Sequence, residues 1–264
     1  MCRIAAYIGP AVDVGHVLYS APHSLEQQAY APREMLHGRI NVDGTGVAWW
    51  RDGDPAPLRY ITTAPPWSDP NLPSLAPRWQ ARTLVATIRS ATIGVPTAPG
   101  TVLPFEQDGI VGTHNGFLRK FREATAARCL AKLPDDLVGR FEAMSDSLAI
   151  FLLAVAARRE DPDLPLTGAL VGAVGTAARA CAEVDAAASL NVVLAAEDEI
   201  VAIRFARGTE PNSLYVNDRT GDGNGVFLAS EPLDDEPGWE PVAPDHIVRL
   251  TNEGATSMPA HIEL

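Results

Sequence analysis

The sequence has few cysteines and no long apolar run. Its three cysteines, Cys2, Cys129 and Cys181, are too few and too scattered for a disulfide framework or a four-ligand zinc site, so we expect a reducing, cytoplasmic environment. No apolar run approaches the roughly 20 residues that a membrane-spanning helix needs. The N-terminal apolar run ends at Pro10, which is too early for a signal peptide. We therefore expect a soluble protein that is neither exported nor inserted in a membrane.

Positive charge is also scarce. The chain carries 21 Lys and Arg against 33 Asp and Glu, a formal net charge of −12. Nucleic-acid backbones and anionic membrane surfaces are bound through clustered Lys and Arg. We therefore expect neither nucleic acid nor membrane as a partner. Composition leaves the oligomeric state open.

Short apolar and β-branched runs separated by turn signals predict strands in both halves of the chain, with helices between them. The predicted strands are 4–8, 46–50, 58–62, 84–88, 110–113, 190–195, 199–204, 213–216, 226–229 and 246–250, and the predicted helices are 118–130, 146–159 and 166–184. The Pro- and Ser-rich stretch 64–77 predicts an ordered loop, because strands resume directly after it. The order strands, helices, strands favours a layered α+β fold, and we expect one domain over residues 1–264.

Cys2 is the most informative single position. Removal of Met1 would leave a cysteine that carries both a thiol and a free α-amine. The amine titrates at about 7.7 to 8.0 and the thiol at about 8.5, so the pair can exchange a proton near neutral pH. The alternative interpretation is a small apolar residue at the start of a strand. Position alone favours that alternative.

Two further segments follow predicted strands. In Thr113-His114-Asn115-Gly116, the Asn side-chain amide and the Gly backbone N–H can point outward together, and two such donors form an oxyanion hole. The alternative is a tight Asn-Gly turn, which the dipeptide alone favours. The other segment, residues 89–94, follows the predicted strand 84–88. Its Arg89 can bind a carboxylate through two parallel hydrogen bonds. The alternative is a surface ion pair.

Asp146 lies at a predicted helix start, between Ser145 and Ser147. Its carboxylate can hold an ammonium group. The alternative is an N-terminal cap of the helix, which local sequence favours.

In combination and in this order, these elements resemble the glutaminase domain of class II glutamine amidotransferases, a branch of the N-terminal nucleophile hydrolases. The family signature has an N-terminal Cys, an Arg followed by Thr-x-Gly, an Asn-Gly pair and a later Asp. The matching residues here are Cys2, Arg89 with Thr92 and Gly94, Asn115-Gly116, and Asp146. The resemblance implies a four-layer αββα sandwich.

The resemblance also implies a role for each residue. Cys2 would attack a γ-glutamyl amide, while Asn115 and Gly116 would stabilise the tetrahedral oxyanion. Arg89 would bind the α-carboxylate and Asp146 the α-ammonium of the glutamyl group. The full substrate-binding set expected from the family is Arg89, Thr92, His114 and Asp146. The resemblance further implies a small-molecule γ-glutamyl substrate and a chemistry that needs neither a metal nor an organic cofactor.

Longer segments narrow the resemblance to a free-standing branch of the family that acts in ergothioneine biosynthesis. They are 28–33, 37–38, 41–46, 88–96 and, most distinctively, 229–239. Thr45 departs from this pattern, because an aromatic residue is expected there. The resemblance implies hydrolysis of a γ-glutamylated intermediate through a Cys2 thioester, and we expect segment 231–239 to contribute to the leaving-group subsite.

Three alternatives remain open at this stage. The chain could hydrolyse another γ-glutamylated amine, or it could be a glutaminase subunit that passes ammonia to a partner synthase. It could also be a non-catalytic binder that keeps Met1. A second, synthase active site within the chain is excluded, because 264 residues leave no room for it.

Overall fold

The computed structural model describes residues 2–36, 38–91 and 96–264. Within these ranges the strands are β1 (Arg3–Asp13), β2 (Thr45–Trp50), β3 (Leu58–Thr62), β4 (Gln80–Ile88), β5 (Phe105–Gln107), β6 (Ile110–Leu118), β7 (Ala188–Ala195), β8 (Ile200–Arg207), β9 (Tyr215–Asp218), β10 (Val226–Ala229), β11 (Glu240–Pro241), β12 (His246–Thr251) and β13 (Gly254–Pro259). The helices are α1 (Leu25–Tyr30), α2 (Leu72–Leu75), α3 (Ala126–Leu130), α4 (Asp135–Val138), α5 (Asp146–Glu160) and α6 (Leu166–Ala182).

The strands form two antiparallel sheets. The first has the order β11-β9-β10-β1-β4-β2-β3, and the second has the order β13-β12-β8-β7-β6-β5. β1 lies inside the first sheet, between β10 and β4, and its first seven residues are buried. The amino terminus is therefore held at the centre of a sheet and not at its edge.

The two sheets pack face to face, and helical segments cover both outer faces. Because side chains alternate along a strand, Ile4, Ala6 and Ile8 of β1 enter the core between the sheets, while Ala5 and Tyr7 face the layer that contains α1. On the far side, α5 and α6 pack on the second sheet in a third apolar cluster. The expected αββα sandwich is thus confirmed.

The helix α5 begins where its sequence supplies a cap. The Ser145 side chain accepts a hydrogen bond from the Leu148 N–H, so Ser145 caps the helix and Asp146 is its first residue. The cap interpretation of Asp146 is wrong, and its carboxylate is available for other contacts. No helix in the described ranges is both long and apolar enough to cross a membrane.

The strand predicted over 4–8 does not end at Gly9-Pro10 but continues to Asp13, and α1, β5, α4, β11 and β13 have no counterpart among the predicted elements.

Further departures surround β6. The predicted strand 110–113 continues to Leu118 in the structure, and the predicted helix 118–130 is shorter. Lys120 has a left-handed backbone conformation with φ of 55°, which separates β6 from the helical turn Phe121–Thr125 and α3. The loop 64–77 contains short helical turns and α2.

Candidate active site

A cavity of about 180 Å³ opens where the start of β1, the end of β4, the free edge of β6 and the start of α5 converge. The described residues that line it are Cys2, Arg89, Ser90, Ala91, Thr101, Leu103, His114, Gly116, Phe117, Arg119, Ser145, Asp146 and Ser147. Predicted site residues from four separate chain segments thus share one cavity.

Cys2 lies directly before β1 and is 7% exposed. In the antiparallel register of β1 and β4, Arg3 pairs with Ile88, so the next step of the register places Cys2 opposite Arg89. Cys2 also has the same strand parity as Ile4 and therefore faces the second sheet. The candidate nucleophile is thus directed toward β6.

Arg89 is buried, so the surface ion-pair interpretation is wrong. Its guanidinium donates to the backbone carbonyls of Asp43 at 3.3 Å and Pro96 at 3.4 Å. Burial lowers its pKa, although Cys2 and Asp43 oppose this shift. In the described part of the chain no carboxylate forms an ion pair with this guanidinium. A buried cation without an acidic partner can bind an incoming carboxylate.

Asn115 and Gly116 are strand residues, so the turn interpretation is wrong. They pair in register with Asn191 and Leu190 of β7. A Cβ atom on residue 116 would lie 1.8 Å from the Ser189 carbonyl oxygen. Only glycine fits this close approach of the two strands.

The backbone N–H of Gly116 points toward the cavity. The Arg119 N–H donates to the carbonyl of Ala187, which directly precedes β7, at 2.9 Å. The Leu118 N–H points to the opposite edge and donates to the Asp146 carboxylate at 2.9 Å. Because N–H groups alternate between the two edges of a strand, Gly116 has the same direction as Leu118. β5 pairs with residues 110–112 of β6, and no strand within residues 2–36, 38–91 and 96–264 neighbours this edge at Gly116.

The side chain of Asn115 has one free end. Asn212 Nδ2 donates to the Asn115 carbonyl at 3.1 Å and approaches Asn115 Oδ1 at 3.4 Å. Asn115 Nδ2 is buried and has no hydrogen-bond partner among the residues that the structure describes. Since a buried donor without a partner is costly, this amide is suited to donate to a developing oxyanion.

A buried framework holds Asn212 in turn. Asn191, opposite Asn115 in the sheet, donates from Nδ2 to the Asn212 and Ser213 carbonyls, and Arg204 donates to the Asn212 carbonyl at 2.8 Å. Sequence reasoning missed Asn212 because it lies 97 positions from Asn115.

His114 lies in the cavity wall with both ring nitrogens engaged. Nδ1 is 2.9 Å from Ser147 Oγ, and Nε2 is 3.2 Å from the Ser189 carbonyl. Because a carbonyl only accepts, Nε2 carries a proton. The Ser147 hydroxyl lies within reach of both Nδ1 and, at 3.4 Å, Asp146 Oδ1. Burial lowers the pKa of His114, although the negative charge of Asp146 opposes this shift. The ring is therefore neutral and orients the start of α5.

Asp146 completes the charged set of the cavity. Its Oδ2 accepts from the Leu118 N–H at 2.9 Å and its Oδ1 from the Ser147 N–H at 2.8 Å. These two bonds fix the carboxylate between β6 and α5. Each oxygen keeps acceptor capacity for an ammonium group in the cavity.

The distinctive segment 229–239 makes internal contacts. Glu231 is fully buried and binds the Arg3 guanidinium at 2.8 Å and His23 Nε2 at 2.7 Å. Asp234 binds Arg219 at 2.7 Å and the Trp239 indole at 2.9 Å. These carboxylates bind groups of the protein itself, and segment 231–239 is not part of the cavity wall described above.

Some predicted residues lie outside the described ranges. They are Met1, His37, Thr92 and Gly94. The expected role of Thr92 in substrate binding therefore stays a prediction. Among the described residues, no group of three or more His, Cys, Asp or Glu is arranged to hold a metal ion.

Comparison with solved structures supports the fold. A glutamine aminotransferase class-II domain protein from Silicibacter pomeroyi superposes with a TM-score of 0.71 at 22% identity, over 98% of this chain and 100% of that one. At this level of identity the likeness establishes the fold alone.

Sequence comparison establishes the family as well as the fold. No protein-family model matches the chain. The γ-glutamyl-hercynylcysteine sulfoxide hydrolase of Mycolicibacterium smegmatis is 32% identical over 259 residues, which cover 98% of this chain and 100% of the relative. The protein of the same name from Mycobacterium tuberculosis is 32% identical over 256 residues, with 97% and 95% coverage. The resemblance found in the sequence is confirmed: this chain belongs to the family of the γ-glutamyl-hercynylcysteine sulfoxide hydrolases.

Proposed function

We propose that this chain hydrolyses the γ-glutamyl amide bond of γ-glutamyl-hercynylcysteine sulfoxide and releases glutamate and hercynylcysteine sulfoxide. The substrate is taken from the names of the curated relatives. The observation that carries the chemistry is the shared cavity, in which Cys2 lies together with a buried arginine and a helix-fixed aspartate. Since both sheets line this cavity, we infer that residues 1–264 act as one domain.

The glutamyl half of the substrate has three groups to be recognised. Arg89 binds its α-carboxylate and Asp146 its α-ammonium, which brings the γ-carbonyl to Cys2. Asn115 Nδ2 and the Gly116 N–H donate to the carbonyl oxygen as it becomes negative. His114 supports this arrangement by holding Ser147, the neighbour of Asp146.

The reaction has two halves. The Cys2 sulfur bonds to the carbonyl carbon of the γ-amide, the α-amine of Cys2 takes the thiol proton, and that proton moves to the leaving nitrogen as the C–N bond breaks. Water then attacks the γ-glutamyl thioester, the C–S bond breaks, and glutamate leaves. The first half requires a free α-amine on Cys2 and therefore removal of Met1.

The test combines mass spectrometry with turnover. Active protein should begin at Cys2, and rapid quenching with substrate should give a protein one glutamyl group heavier, which Cys2→Ala does not form. Cys181→Ala is the matched control, since burial raises the pKa of that thiol to about 11 and it should keep the activity. Full activity of Cys2→Ala, or of protein that retains Met1, would overturn the mechanism.

Substrate identity needs a separate comparison. The sulfoxide substrate should have a much higher kcat/KM than glutamine, because remote binding energy of the leaving group can stabilise the transition state. Equal or better activity on glutamine would contradict the substrate assignment while leaving the thiol mechanism intact.

A further inference from the structure

Arg119 and Phe117 form a part of the cavity wall that the proposed reaction does not use. They lie two positions apart at the end of β6, and the Arg119 guanidinium carbon is 4.4 Å from the centroid of the Phe117 ring. The Arg119 backbone is fixed by its hydrogen bond to Ala187. Stacking on an aromatic ring restricts the guanidinium and leaves its edge free to donate.

Arg119 is exposed and has no acidic partner in the described part of the chain. Some other exposed arginines do have one: Arg128 binds Glu183 at 2.6 Å, and Arg82 binds Asp52 at 2.8 Å. What sets Arg119 apart is its place in the cavity wall together with its stack on Phe117, in a chain with a net charge of −12.

The charges in the cavity wall exceed what a glutamyl group needs. The charged side chains among its described residues are Arg89, Arg119 and Asp146. One carboxylate and one ammonium of the glutamyl group match Arg89 and Asp146. One positive charge is left over, and it belongs to Arg119.

The small volume of the cavity places the Arg119 charge beside the leaving group. Pockets that enclose a drug-sized ligand have volumes of about 300 to 1,000 Å³, whereas this cavity has about 180 Å³. It can enclose a glutamyl group but not a large amine as well. The amine must therefore extend through the mouth, where Arg119 is exposed.

We propose that Arg119, held by Phe117, binds a carboxylate of the leaving amine and so makes the enzyme selective for γ-glutamylated amino acids. The inference rests on the proposed function and deepens it. It assigns Arg119 to substrate selection and not to bond breaking. Glutamine, whose leaving group is ammonia, cannot use this contact.

The test compares γ-glutamylalanine with γ-glutamylethylamide, whose leaving amines differ only in the carboxylate. The wild type should favour γ-glutamylalanine by about tenfold in kcat/KM, near the lower end for a charge-assisted contact because the guanidinium is exposed. In Arg119→Gln this ratio should fall to near one, with the loss on γ-glutamylalanine. Arg119→Lys should keep part of the ratio.

Lys120→Gln is the matched control. It removes one positive charge from the neighbouring exposed residue, which does not line the cavity, and the ratio should stay at the wild-type value. An unchanged ratio in Arg119→Gln, or an equal fall in Lys120→Gln, would overturn the proposal for Arg119 alone. Failure of the wild type to cleave either compound while it cleaves γ-glutamyl-hercynylcysteine sulfoxide would overturn this inference alone, whereas failure on all three would overturn the proposed function.

Discussion

The position of the Asn115 amide should depend on Asn212, and this dependence can be measured. Asn212→Ala removes the side chain that contacts Asn115 at 3.1 and 3.4 Å. The backbone at position 212 should stay in place, because its carbonyl still accepts from Asn191 and Arg204. The substitution therefore frees the Asn115 side chain with little change to its surroundings.

The magnitude follows from the bonds lost. Loss of one oxyanion donor costs about 2.7 to 4 kcal/mol, or roughly a hundredfold to a thousandfold in kcat, which we expect for Asn115→Ala. Asn212→Ala leaves the donor present but free to rotate. Asn212→Ala should raise the activation free energy by about the net contribution of one hydrogen bond, about 1 kcal/mol. This corresponds to a roughly fivefold lower kcat, with little change in KM.

A double-mutant cycle tests whether Asn212 acts through Asn115. Steady-state kinetics of the two single variants and the double variant should show that Asn212→Ala costs nothing further once Asn115 is Ala. If the double variant instead lost kcat by the product of the two single-variant factors, the reasoning would be refuted. Asn217→Ala, which removes another buried amide that donates to Pro237, controls for lost stability and should melt earlier with kcat unchanged.

Three further predictions concern other residues of the site. Purified active protein should lack Met1 by intact-mass measurement, and a variant that blocks its removal should be inactive despite a normal melting temperature. Arg89→Lys should lower kcat/KM for every γ-glutamyl substrate roughly tenfold to a hundredfold, as should Asp146→Asn, because each loses a charge-assisted contact to the glutamyl group; near wild-type kinetics in both would show that the site is misplaced. Burial lowers the pKa of His114, so the unfolded chain binds this proton more readily and the free energy of unfolding should fall as the pH drops below about 6.5. Thermal melts of the wild type and His114→Gln should diverge there, and parallel curves would contradict the assignment.

Patterns that are local in sequence predicted much of the fold. The structure has strands at Leu58–Thr62 and Val226–Ala229, the ranges predicted from apolar and β-branched runs. It also has α5 starting at Asp146, as the helical spacing predicts. In these elements the local preference and the tertiary environment agree, so the sequence alone was sufficient.

The site was less predictable where distant partners override local preference. Asn115-Gly116 has the composition of a turn, yet pairing with β7 keeps it extended. The order of residues in the chain brought Cys2, Arg89 and Asp146 into one hypothesis. It gave no signal for Asn212, whose proposed role depends on a contact between buried side chains, or for Arg119, whose proposed role depends on its place in the cavity wall.

The contribution of segment 231–239 to the leaving-group subsite stays a prediction, but Glu231 within it has a structural role that the sequence did not predict. We expected this segment to contact the leaving group, but Glu231 is buried against Arg3, the residue that follows the candidate nucleophile. Burial alone would raise the pKa of Glu231, but His23, the backbone N–H groups of Arg33 and Glu34 and the Arg3 charge hold it below its usual value. The carboxylate is therefore ionised and satisfied, and it joins β1 to the chain around residue 33. Such a network fixes Cys2 from the side opposite the cavity, so the segment can be characteristic of the family without touching the substrate.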